Sequence, residues 1–370
     1  MIRGKSFKFP ITSFAGTTPG NILKVLRMHQ AEPKYYVKLV LSFLVSLIFV
    51  LFNLVEKLIW GRKISTYSLS EPPVFIIGFN RSGTTLLHNL LCQDPQAGFT
   101  STLHTVFPHC VLSQKWWLGP VFNAIVPDKR PFDNVSMNMD FPQEEEFALA
   151  NLQPFSIYNF FLFPKEFDYI IDHEYITGAL PEPDIIQWKK EFKKMVIKSL
   201  LNTKGNRYVS KNPQNIQRVQ LIRDLFPDAR FIFIYRDPYV VFESLYHFLL
   251  AIFPGVQLQQ VPVDFTRRNV ARFYTIAMQS YFKAREDFGS ALFYEIKMEE
   301  FMKDKIGSLR KLYDALNISG FEKAVPAFEK FLSGNPREKH AYEIHPETIH
   351  YVNEMAADIV KQLGYHLRSE

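Results

Sequence analysis

The sequence predicts an α/β protein with a central parallel β-sheet flanked by helices and with a separate apolar helix before it. Two short apolar runs, residues 73–77 (PVFII) and 229–235 (ARFIFIY), each end in a turn that is followed by apolar residues at helical spacing. Runs that are apolar almost throughout are typical of strands buried on both faces of a parallel sheet. The repeated order of strand, turn and helix is the pattern that builds such a sheet. A chain of 370 residues is long enough for one large α/β domain with an additional helical part.

The first junction between a strand and a helix has the features of an anion-binding site. The strand ends at Gly78, a short loop follows, and Thr84 begins a helix whose apolar positions are Leu86, Leu87, Leu90 and Leu91. The first N–H groups of a helix have no partner within it, and the helix dipole favours negative charge there. Gly78 and Gly83 allow the backbone to approach a phosphate closely. We therefore predict a phosphate site in this loop.

The loop has nearly the spacing of a Walker A loop, G-x-x-x-x-G-K-[ST]. Gly78, Gly83 and Thr85 occupy the expected positions, but Thr84 stands where the lysine belongs. That lysine normally contacts the terminal phosphates of ATP, so its absence disfavours an ordinary NTPase. Arg81 places a positive charge inside the loop instead. This indicates a P-loop-like fold with a different phosphate ester as ligand, and the alternative is an ordinary tight turn between a strand and a helix.

A second junction follows further along the chain. Residues 207–211 (RYVSK) and 229–235 predict two strands with a helix between them, and the second strand ends at Arg236. The helix after Arg236 carries Ser244. In open α/β sheets, ligands bind outside the carboxyl ends of the strands, so both junctions are expected to face one cleft. Arg236 and Ser244 are candidates for a second phosphate, and a local interaction between Arg236 and Asp237 is the alternative.

Together the two junctions resemble the sulfotransferase superfamily. The segment RSGTT is similar to its 5′-phosphosulfate loop, and YRDPYVVFESLYHF is similar to its 3′-phosphate block, in which an Arg and a Ser eight residues later bind the phosphate. The resemblance implies 3′-phosphoadenosine-5′-phosphosulfate (PAPS) as the donor and 3′-phosphoadenosine-5′-phosphate (PAP) as the product. It assigns donor binding to Arg81, Ser82, Gly83, Thr84 and Thr85 in the loop, and to Arg236 and Ser244 at the second junction.

The resemblance extends over about residues 70–365, nearly the whole chain after its start. Residues 294–301 (YEIKMEEF) resemble a YEDL-type element, and residues 337–342 (REKHAY) resemble a C-terminal basic loop. Tyr294, Arg337 and Lys339 are therefore further expected donor-binding residues.

Two other segments support the resemblance, and some positions depart from it. Residues 130–149 resemble a segment that places acidic residues beside the acceptor, and residues 209–218 resemble a KSPxHxxR block. Asn212 and Asn215 stand where Ser and His are commoner in that block, and the loop has Arg81 where cytosolic animal enzymes carry Lys.

By this resemblance, the reaction is an in-line transfer of a sulfonate group, with no covalent enzyme intermediate and no metal. Catalysis then depends on positioning and electrostatic stabilisation, as in phosphoryl transfer. Arg81 and the N–H groups of its loop are expected to stabilise the leaving phosphate. Lys211, at the end of its predicted strand, is the second expected cation, with a solvated loop lysine as the alternative. No His, Cys and Asp residues of the sequence have metal-ligand spacing.

The general base has two candidates, and the sequence leaves both open. His104 follows the helix after the loop, in the region where Golgi-type relatives have a catalytic glutamate. Glu144 falls near the position of the catalytic histidine in cytosolic relatives. A histidine has the better intrinsic pKa for a base near neutral pH, whereas a glutamate needs burial to raise its pKa.

The acceptor is expected to be a lipophilic alcohol. Many of the 35 Phe residues lie between the two phosphate motifs, in a predicted acceptor lid at about residues 99–190, although most of these aromatic residues are expected to be core. A sterol or steroid is the first expectation and a long-chain lipid alcohol the second. A sulfated polysaccharide is disfavoured as the acceptor, because it would require a basic, polar cleft. Trp116, Trp117 and Phe155 are the expected acceptor contacts.

Residues 1–70 are expected to form an N-terminal segment, and residues 71–370 the catalytic domain. Residues 39–55 form a run of 17 uncharged residues. This length is at the lower limit for a helix that spans a membrane. A thin polar stripe along this helix argues against a simple span; it comprises Lys38, Ser42, Ser46, Asn53 and Lys57. The favoured interpretation is a helix at about residues 39–57 that associates with a membrane surface, ahead of a helix packed on the protein and of a true span.

Composition restricts partners and location. The net charge of +6 suits an anionic donor or an acidic membrane surface, and no basic run indicates nucleic acid. Two cysteines make no disulfide framework. Residues 80–82 (NRS) form a glycosylation sequon inside the phosphate loop, where a glycan would block the site, so a cytoplasmic enzyme is expected. The sequence does not indicate an oligomeric state.

Two other functions remain as alternatives. A P-loop kinase for a small molecule would bind Mg-ATP, although the Walker lysine is missing. A membrane-attached protein without catalysis would bind PAP and turn nothing over.

Overall fold

The structure is a computed structural model, and it describes residues 13–125, 138–175, 180–262, 265–334 and 343–369. The chain divides into two compact units. The helical unit contains residues 1–69, 99–204 and 248–264, and the sheet unit contains residues 70–98, 205–247 and 265–370. The division into residues 1–70 and 71–370 that the sequence indicates stays a prediction, as does the lid at residues 99–190.

Five strands and a larger set of helices make up the described residues. The strands are β1 Val74–Ile77, β2 Ala97–Gly98, β3 Arg207–Lys211, β4 Arg230–Tyr235 and β5 Phe293–Lys297. The helices are α1 Pro19–Met28, α2 Tyr36–Ser65, α3 Thr84–Leu91, α4 Thr102–Val106, α5 Val111–Ile125, α6 Glu145–Leu152, α7 Asn159–Leu162, α8 Phe167–Ile170, α9 Glu182–Thr203, α10 Val219–Leu225, α11 Pro238–Val256, α12 Arg267–Phe288, α13 Met298–Lys303, α14 Lys305–Ala315, α15 Phe321–Gly334 and α16 Pro346–Gln362.

The strands form one sheet with the order β2-β3-β1-β4-β5, and every strand pair is parallel. All four residues of β1 and the four central residues of β4 are buried, as in a sheet covered on both faces. The predicted parallel sheet is therefore confirmed. β1 pairs with β3 on one side and with β4 on the other, so the chain changes direction across the sheet at β1. Such a switch point is where open α/β sheets bind ligands.

The helix expected between β3 and β4 differs from the prediction in its first turn. It begins as a 3₁₀ helix, Pro213–Gln217, and continues as α10. Asn212 caps this 3₁₀ helix, because its side-chain oxygen accepts a hydrogen bond from the N–H of Gln214 at 3.0 Å. Local polar side chains of this kind compete with regular α-helical bonding, so the α-helix starts later.

The predicted apolar N-terminal helix is present as α2, and it is longer than expected. One face packs within the helical unit, where Phe49 stacks on Phe107 with ring centroids 4.8 Å apart. Of the predicted polar stripe, Ser42 and Ser46 are buried and Asn53 is half-buried, whereas Lys57 is exposed. The opposite face is apolar and exposed. The helix therefore packs on the protein by a face that contains both Phe49 and the serines of the polar stripe.

Two described helices are long and apolar enough to cross a membrane by length and composition. One is α2 with the three residues before it, and the other is α11, which carries Ser244. Such helices are weak support for membrane association, since core helices of soluble proteins have the same composition.

A buried ion-pair cluster fixes the segment before α2. His29 is fully buried, with Nδ1 2.6 Å from a carboxylate oxygen of Glu166 and Nε2 2.7 Å from one of Glu174. Its ring stacks on Phe163. Burial alone would lower the pKa of His29, but the attraction of Glu174 and then of Glu166 outweighs it and raises the pKa. The imidazolium is therefore the stable form between the two carboxylates.

We predict that this cluster makes stability depend on pH. A raised native pKa stabilises the fold below the unfolded pKa of about 6.5, by about 1.4 kcal/mol for each unit of the shift, and this contribution is lost as the pH rises through the native pKa. The difference in unfolding free energy between the wild type and His29→Gln, measured by denaturant titration, should be large at pH 6 and should shrink towards pH 9.

His350→Gln is the matched control, because His350 is exposed on α16 beside Glu354. An exposed ion pair contributes little to stability, so the unfolding free energy of His350→Gln should stay close to that of the wild type. A constant difference for His29→Gln would contradict the assignment.

Candidate functional site

The carboxyl ends of β1, β3 and β4 bring the motifs of the sheet unit to one edge. Lys211 is the last residue of β3 and lies in register with Ile76 of β1. Gly78 follows β1 directly, and Arg236 follows β4 directly. The sheet order therefore places three sequence-predicted site regions next to one another. The expectation that both junctions lie at the same edge agrees with this geometry.

The loop after β1 has an unusual backbone. Gly78 has φ 143°, Arg81 has φ 70° and Gly83 has φ 98°. A side chain at Gly78 would collide with the carbonyl oxygen of Ile234 in β4, so the close approach of these two segments requires glycine. Arg81 is in the left-handed region without being glycine, which costs about 1 kcal/mol or more and is often found at functional sites.

The loop presents free donors at the start of α3. Thr84 and Thr85 are the first two helical residues, so their N–H groups have no acceptor within the helix. Gly83 occupies the N-cap position and has no side chain to cap them. Its carbonyl already accepts from the N–H groups of Leu86 and Leu87. The geometry is that of an anion-binding helix N-terminus.

A direct hydrogen bond joins the two phosphate motifs. Arg81 Nε donates to Ser244 Oγ at 3.0 Å. Ser244 is almost fully buried in α11, two turns after Arg236. The resemblance pairs Ser244 with Arg236, whereas the structure has Ser244 in contact with the first loop. Ser244 therefore links the guanidinium of Arg81, in the loop after β1, to the motif that follows β4.

Arg236 is half-buried and makes no ion pair or hydrogen bond with any residue that the structure describes. The neighbouring Asp237 has other partners: its carboxylate accepts from Arg368 Nη2 at 2.6 Å and from the N–H of Tyr239 at 2.9 Å. The local pairing of Arg236 with Asp237, which the sequence left open, is therefore absent. The Arg236 guanidinium keeps its donors for a ligand.

The electrostatics of the edge are positive. Lys211 is almost fully buried at the end of β3. His88 in α3 donates from Nε2 to the carbonyl of Val209 at 3.3 Å. Burial, and then the positive charge of Lys211, lowers the pKa of His88 to about 3, so this histidine is neutral at physiological pH. A neutral His88 adds no further positive charge beside Lys211.

One of the remaining predicted donor residues lies away from this edge. Tyr294 is half-buried and in register with Ile232, three residues before the end of β5, so it lies about 10 Å from the carboxyl edge along the strand. Arg337 and Lys339 lie outside the described residues. Their roles stay predictions.

The two candidate bases differ in their surroundings within the helical unit. His104 is fully buried in α4, and its Nδ1 is 3.1 Å from the hydroxyl of Ser199. Burial, and then the charge of Lys198, lowers the pKa of His104 to about 3. The ordinary pKa that favoured a histidine therefore does not apply to His104. Its Nε2 has no hydrogen-bond partner within the described part of the chain.

Glu144 lies at the N-cap position of α6 and is half-buried. One of its carboxylate oxygens accepts a hydrogen bond from the hydroxyl of Tyr158. The following Glu145 and Glu146 are fully buried, and Glu146 accepts from the hydroxyl of Ser156 at 2.8 Å. Glu145 and Glu146 therefore both lie in the core. Glu144 is the most accessible of the three.

The predicted acceptor contacts have different environments. Trp116 is 77% exposed on α5. Trp117 is half-buried, donates from Nε1 to Gln114 at 2.7 Å and packs on Phe52 of α2. Phe155 is half-buried. Trp116 and Trp117 are adjacent in α5, so their side chains point in different directions.

Two interactions beside the site had no signal in the sequence. Arg368 has no motif around it, yet it neutralises Asp237 next to Arg236. Glu243, buried beside Ser244, accepts from Arg267 at 2.8 Å, and it also accepts from Thr348 at the start of α16. Arg267 and Thr348 hold the pKa of Glu243 at about 2 although burial acts to raise it. Both interactions join residues that are far apart in the chain.

Comparison with known proteins identifies the class. A family model described as "Sulfotransferase family" matches residues 72–323. The chain is 30% identical over 314 residues to omega-hydroxy-beta-dihydromenaquinone-9 sulfotransferase Stf3 of Mycobacterium bovis, which covers 84% of this chain and 79% of that protein. The same protein of Mycobacterium tuberculosis matches equally well.

Solved structures share the fold. Sulfotransferase STF1 of Mycobacterium tuberculosis has a TM-score of 0.66 at 17% identity, covering 91% of this chain and 90% of that chain. Sulfotransferase STF9 of Mycobacterium avium has the same score and identity, covering 84% of this chain and 81% of that chain. The expected P-loop-like fold is confirmed.

The chain belongs to the sulfotransferase family and is an enzyme of that class. This confirms the resemblance carried by the two phosphate motifs. Within the described residues, no group of three or more His, Cys, Asp or Glu side chains could hold a metal ion.

We predict that Gly78→Ala destabilises the fold and weakens PAP binding. The new Cβ would collide with the Ile234 carbonyl and would hold a positive φ, which together cost about 1–3 kcal/mol. Unfolding by denaturant and PAP titration calorimetry measure both effects. Gly61→Ala is the matched control, since a Cβ there meets nothing within 4 Å in helix α2; it should be neutral or stabilising. Equal behaviour of the two variants would refute the packing argument.

Proposed function

We propose that the enzyme transfers the sulfonate group of PAPS to the hydroxyl of a lipophilic alcohol. The observation that carries the proposal is the hydrogen bond from Arg81 to Ser244, because it joins two separate anion-binding motifs at one edge of the sheet. A donor with a 5′-phosphosulfate and a separate 3′-phosphate requires two such motifs. An ordinary nucleoside triphosphate has no use for the second.

The residues present fit this donor. The N–H groups of Thr84 and Thr85 and the guanidinium of Arg81 suit the 5′-phosphosulfate. Arg236 has its donors available within the described chain, and Ser244 lies two turns further on, which suits the 3′-phosphate. Ser82 and Gly83 shape the loop. When bound, PAPS supplies the sulfonate group and a good leaving group, and no metal is part of the proposal.

The protein contributes fixed positive charge. Arg81 is held in place by Ser244 and its strained backbone, so it can stabilise charge on the leaving phosphate without reorganising. Lys211 is buried at the same edge and supplies a second cation for the bridging oxygen. Positioned charges of this kind account for much of the rate in reactions without a covalent intermediate.

Glu144 is the base that we propose, with His104 as the alternative. A base must contact the acceptor hydroxyl, and Glu144 is half-buried whereas His104 is fully buried. A histidine with a pKa of about 3 is also a weak base. Tyr158 holds the Glu144 carboxylate in one orientation by its hydrogen bond.

The acceptor class rests on the aromatic composition and on the relatives. Stf3, at 30% identity, is named for a hydroxylated dihydromenaquinone, which is a long isoprenoid lipid. This favours a lipid alcohol with an isoprenoid chain as the acceptor, beside the sterol or steroid that composition alone indicates. Trp117 and Phe155 are proposed acceptor contacts, and Trp116 is the most exposed of the three.

The enzyme is proposed to be cytoplasmic and attached to a membrane through residues 39–57. The sequon inside the phosphate loop supports a compartment without N-glycosylation, because a glycan on Asn80 would obstruct the loop. The exposed apolar face of α2 supports membrane attachment.

The reaction is tested by PAP release from PAPS with purified protein and a panel of acceptors. The panel contains sterols, hydroxylated isoprenoid quinols, fatty alcohols, phenols and sugars. Release that depends on a lipid alcohol is the expected result. Release only with a phenol or a sugar would overturn the acceptor class. PAP binding without any turnover would favour the non-catalytic alternative, and binding of Mg-ATP instead of PAP would favour the kinase.

We predict that Arg236→Ala weakens PAP binding by about 2–4 kcal/mol, because a charged hydrogen-bonded contact to phosphate is lost. Arg81→Ala should abolish turnover while leaving part of the PAP affinity. Titration calorimetry and initial rates separate the two effects. Arg310→Ala is the control for the loss of one charge, since Arg310 pairs with Glu322 on the surface. PAP affinity of Arg236→Ala equal to that of the control would remove Arg236 from the site.

We also predict that Glu144→Gln lowers kcat by about 10²–10⁴, the usual contribution of a general base, and that His104→Asn changes it little. Asn can replace the Nδ1 contact to Ser199, so folding should be retained. A large loss in His104→Asn with an unaffected Glu144→Gln would reverse the assignment.

A further inference from the structure

Helix α2 has an inverted distribution of polar and apolar residues. Its buried face contains Leu39, Ser42, Ser46, Phe49 and Glu56, of which three are polar. Thirteen of the twenty-one large apolar side chains that are exposed in the described chain lie on the other faces of this one helix. They are Tyr36, Val37, Val40, Leu41, Leu44, Leu47, Ile48, Val50, Leu51, Leu54, Val55, Leu58 and Ile59. A surface helix in water has the opposite arrangement.

The inward polar groups are held by specific bonds. Glu56 is almost fully buried, and one carboxylate oxygen accepts from the N–H groups of Leu112 and Ser113 at 3.0 and 2.9 Å and from the Ser113 hydroxyl. Its other oxygen pairs with Lys198 at 2.5 Å. A buried carboxylate with four partners is costly to remove from its site. These bonds fix which face of α2 points inward.

Two parts of α2, its first turn and Glu56, are attached to the same unit. Before the helix, Glu32 pairs with Lys165 at 2.9 Å, and within the first turn Lys38 donates to the carbonyl of Gly255 at 3.2 Å. Eighteen residues later, Glu56 pairs with Lys198. This length of helix measures about 27 Å, close to the thickness of the hydrocarbon core of a bilayer. A helix that crossed the bilayer would have to break one set of these polar contacts.

The charges beside the apolar face are positive. Glu56 is the only acidic residue in α2, and it is buried. Lys57, Arg62 and Lys63 are exposed towards the end of the helix, and Lys63 lies over the ring of Trp60. Basic residues and a tryptophan next to an apolar helix face are typical of helices at the surface of an anionic bilayer.

We propose that α2 lies in the plane of an anionic lipid bilayer, with its outer apolar face in one leaflet, and that it does not cross the membrane. The proposal rests on the proposed membrane attachment and on the proposed lipid acceptor. It adds which face of α2 contacts the lipid, how the helix is oriented in the bilayer, and that the lipid is anionic. The inward polar bonds keep the helical unit on one side of the bilayer. Acceptor molecules dissolved in that leaflet and the bound enzyme are then located at the same membrane surface.

The first test is sedimentation with vesicles of phosphatidylcholine alone or with 30 mol% phosphatidylglycerol. The full chain with Leu44, Leu51 and Leu58 changed to Glu should bind the anionic vesicles at least tenfold more weakly than the wild type. The matched control carries the same three added charges at Leu23, Ile186 and Leu250, which are exposed apolar residues outside α2. It should retain most of the binding. Equal loss in both variants, or none in either, would overturn the proposal.

The second test is the topology of the bound protein. Gly20 in α1 precedes α2 in the sequence, and Glu182 in α9 follows it; both positions are exposed. Single cysteines there should both react with a membrane-impermeant maleimide added outside the vesicles, because an in-plane helix leaves both on the same side. Protection of one position only would mean that α2 crosses the bilayer. The native Cys92 and Cys110 are buried, and burial raises their pKa, so they should react slowly.

Two further readouts separate this proposal from the proposed function. PAP affinity, and PAP release with a short, water-soluble alcohol, should be unchanged in the triple variant of α2. Loss of both would indicate a damaged fold rather than lost membrane contact. The wild type could instead fail to bind vesicles and form dimers, with the triple variant of α2 monomeric. That result would overturn the membrane proposal and assign the apolar face to a second copy of the chain. PAP release with a lipid alcohol would in that case still support the proposed function, without the membrane.

Discussion

The parallel pairing of β1 with β3 and β4 is the constraint on which the site depends. Each strand supplies one group at its carboxyl end: the phosphate loop after β1, Lys211 at the end of β3, and Arg236 after β4. Because parallel strands place these ends at one edge, cations from distant parts of the chain meet there. The close contact of Gly78 with β4 depends on the same pairing. Loss of the strand order would separate every element of the donor site.

Positive charges at this edge repel one another, and specific contacts in the sheet unit determine which groups there are charged. His88 stays neutral beside Lys211 because burial lowers its pKa. Asp237 could neutralise Arg236, but Arg368 binds it instead. Ser244 holds Arg81 through an uncharged hydroxyl, which positions the guanidinium without reducing its charge. Arg236 therefore keeps its guanidinium for a ligand, and the anionic donor that we propose agrees with membership of the sulfotransferase family.

The helical unit depends on buried charges of a different kind. Glu56 with Lys198 fixes α2, and His29 between Glu166 and Glu174 fixes the segment before it. Both contacts join residues that are far apart in the chain, and together with the packing of Phe49 they fix the orientation of this N-terminal segment. The apolar residues of α2 are thereby left on the outside. The proposed lipid acceptor and the proposed membrane contact of α2 are consistent with each other on this basis.

The sequence by itself determined strands β1, β3 and β4, the loop, the start of α3 and the family, because these follow from local periodicity, glycine positions and short motifs. It also located the apolar helix and its polar stripe. Only the tertiary structure decided which side of that helix is buried, since the partners of Glu56 are 56 residues and more away in the chain. The same holds for His104, whose pKa is lowered by burial that no motif encodes, and for Ser244, whose partner Arg81 lies 163 residues earlier. Contacts between distant residues depend on how the elements pack, and a local pattern carries no information about that packing.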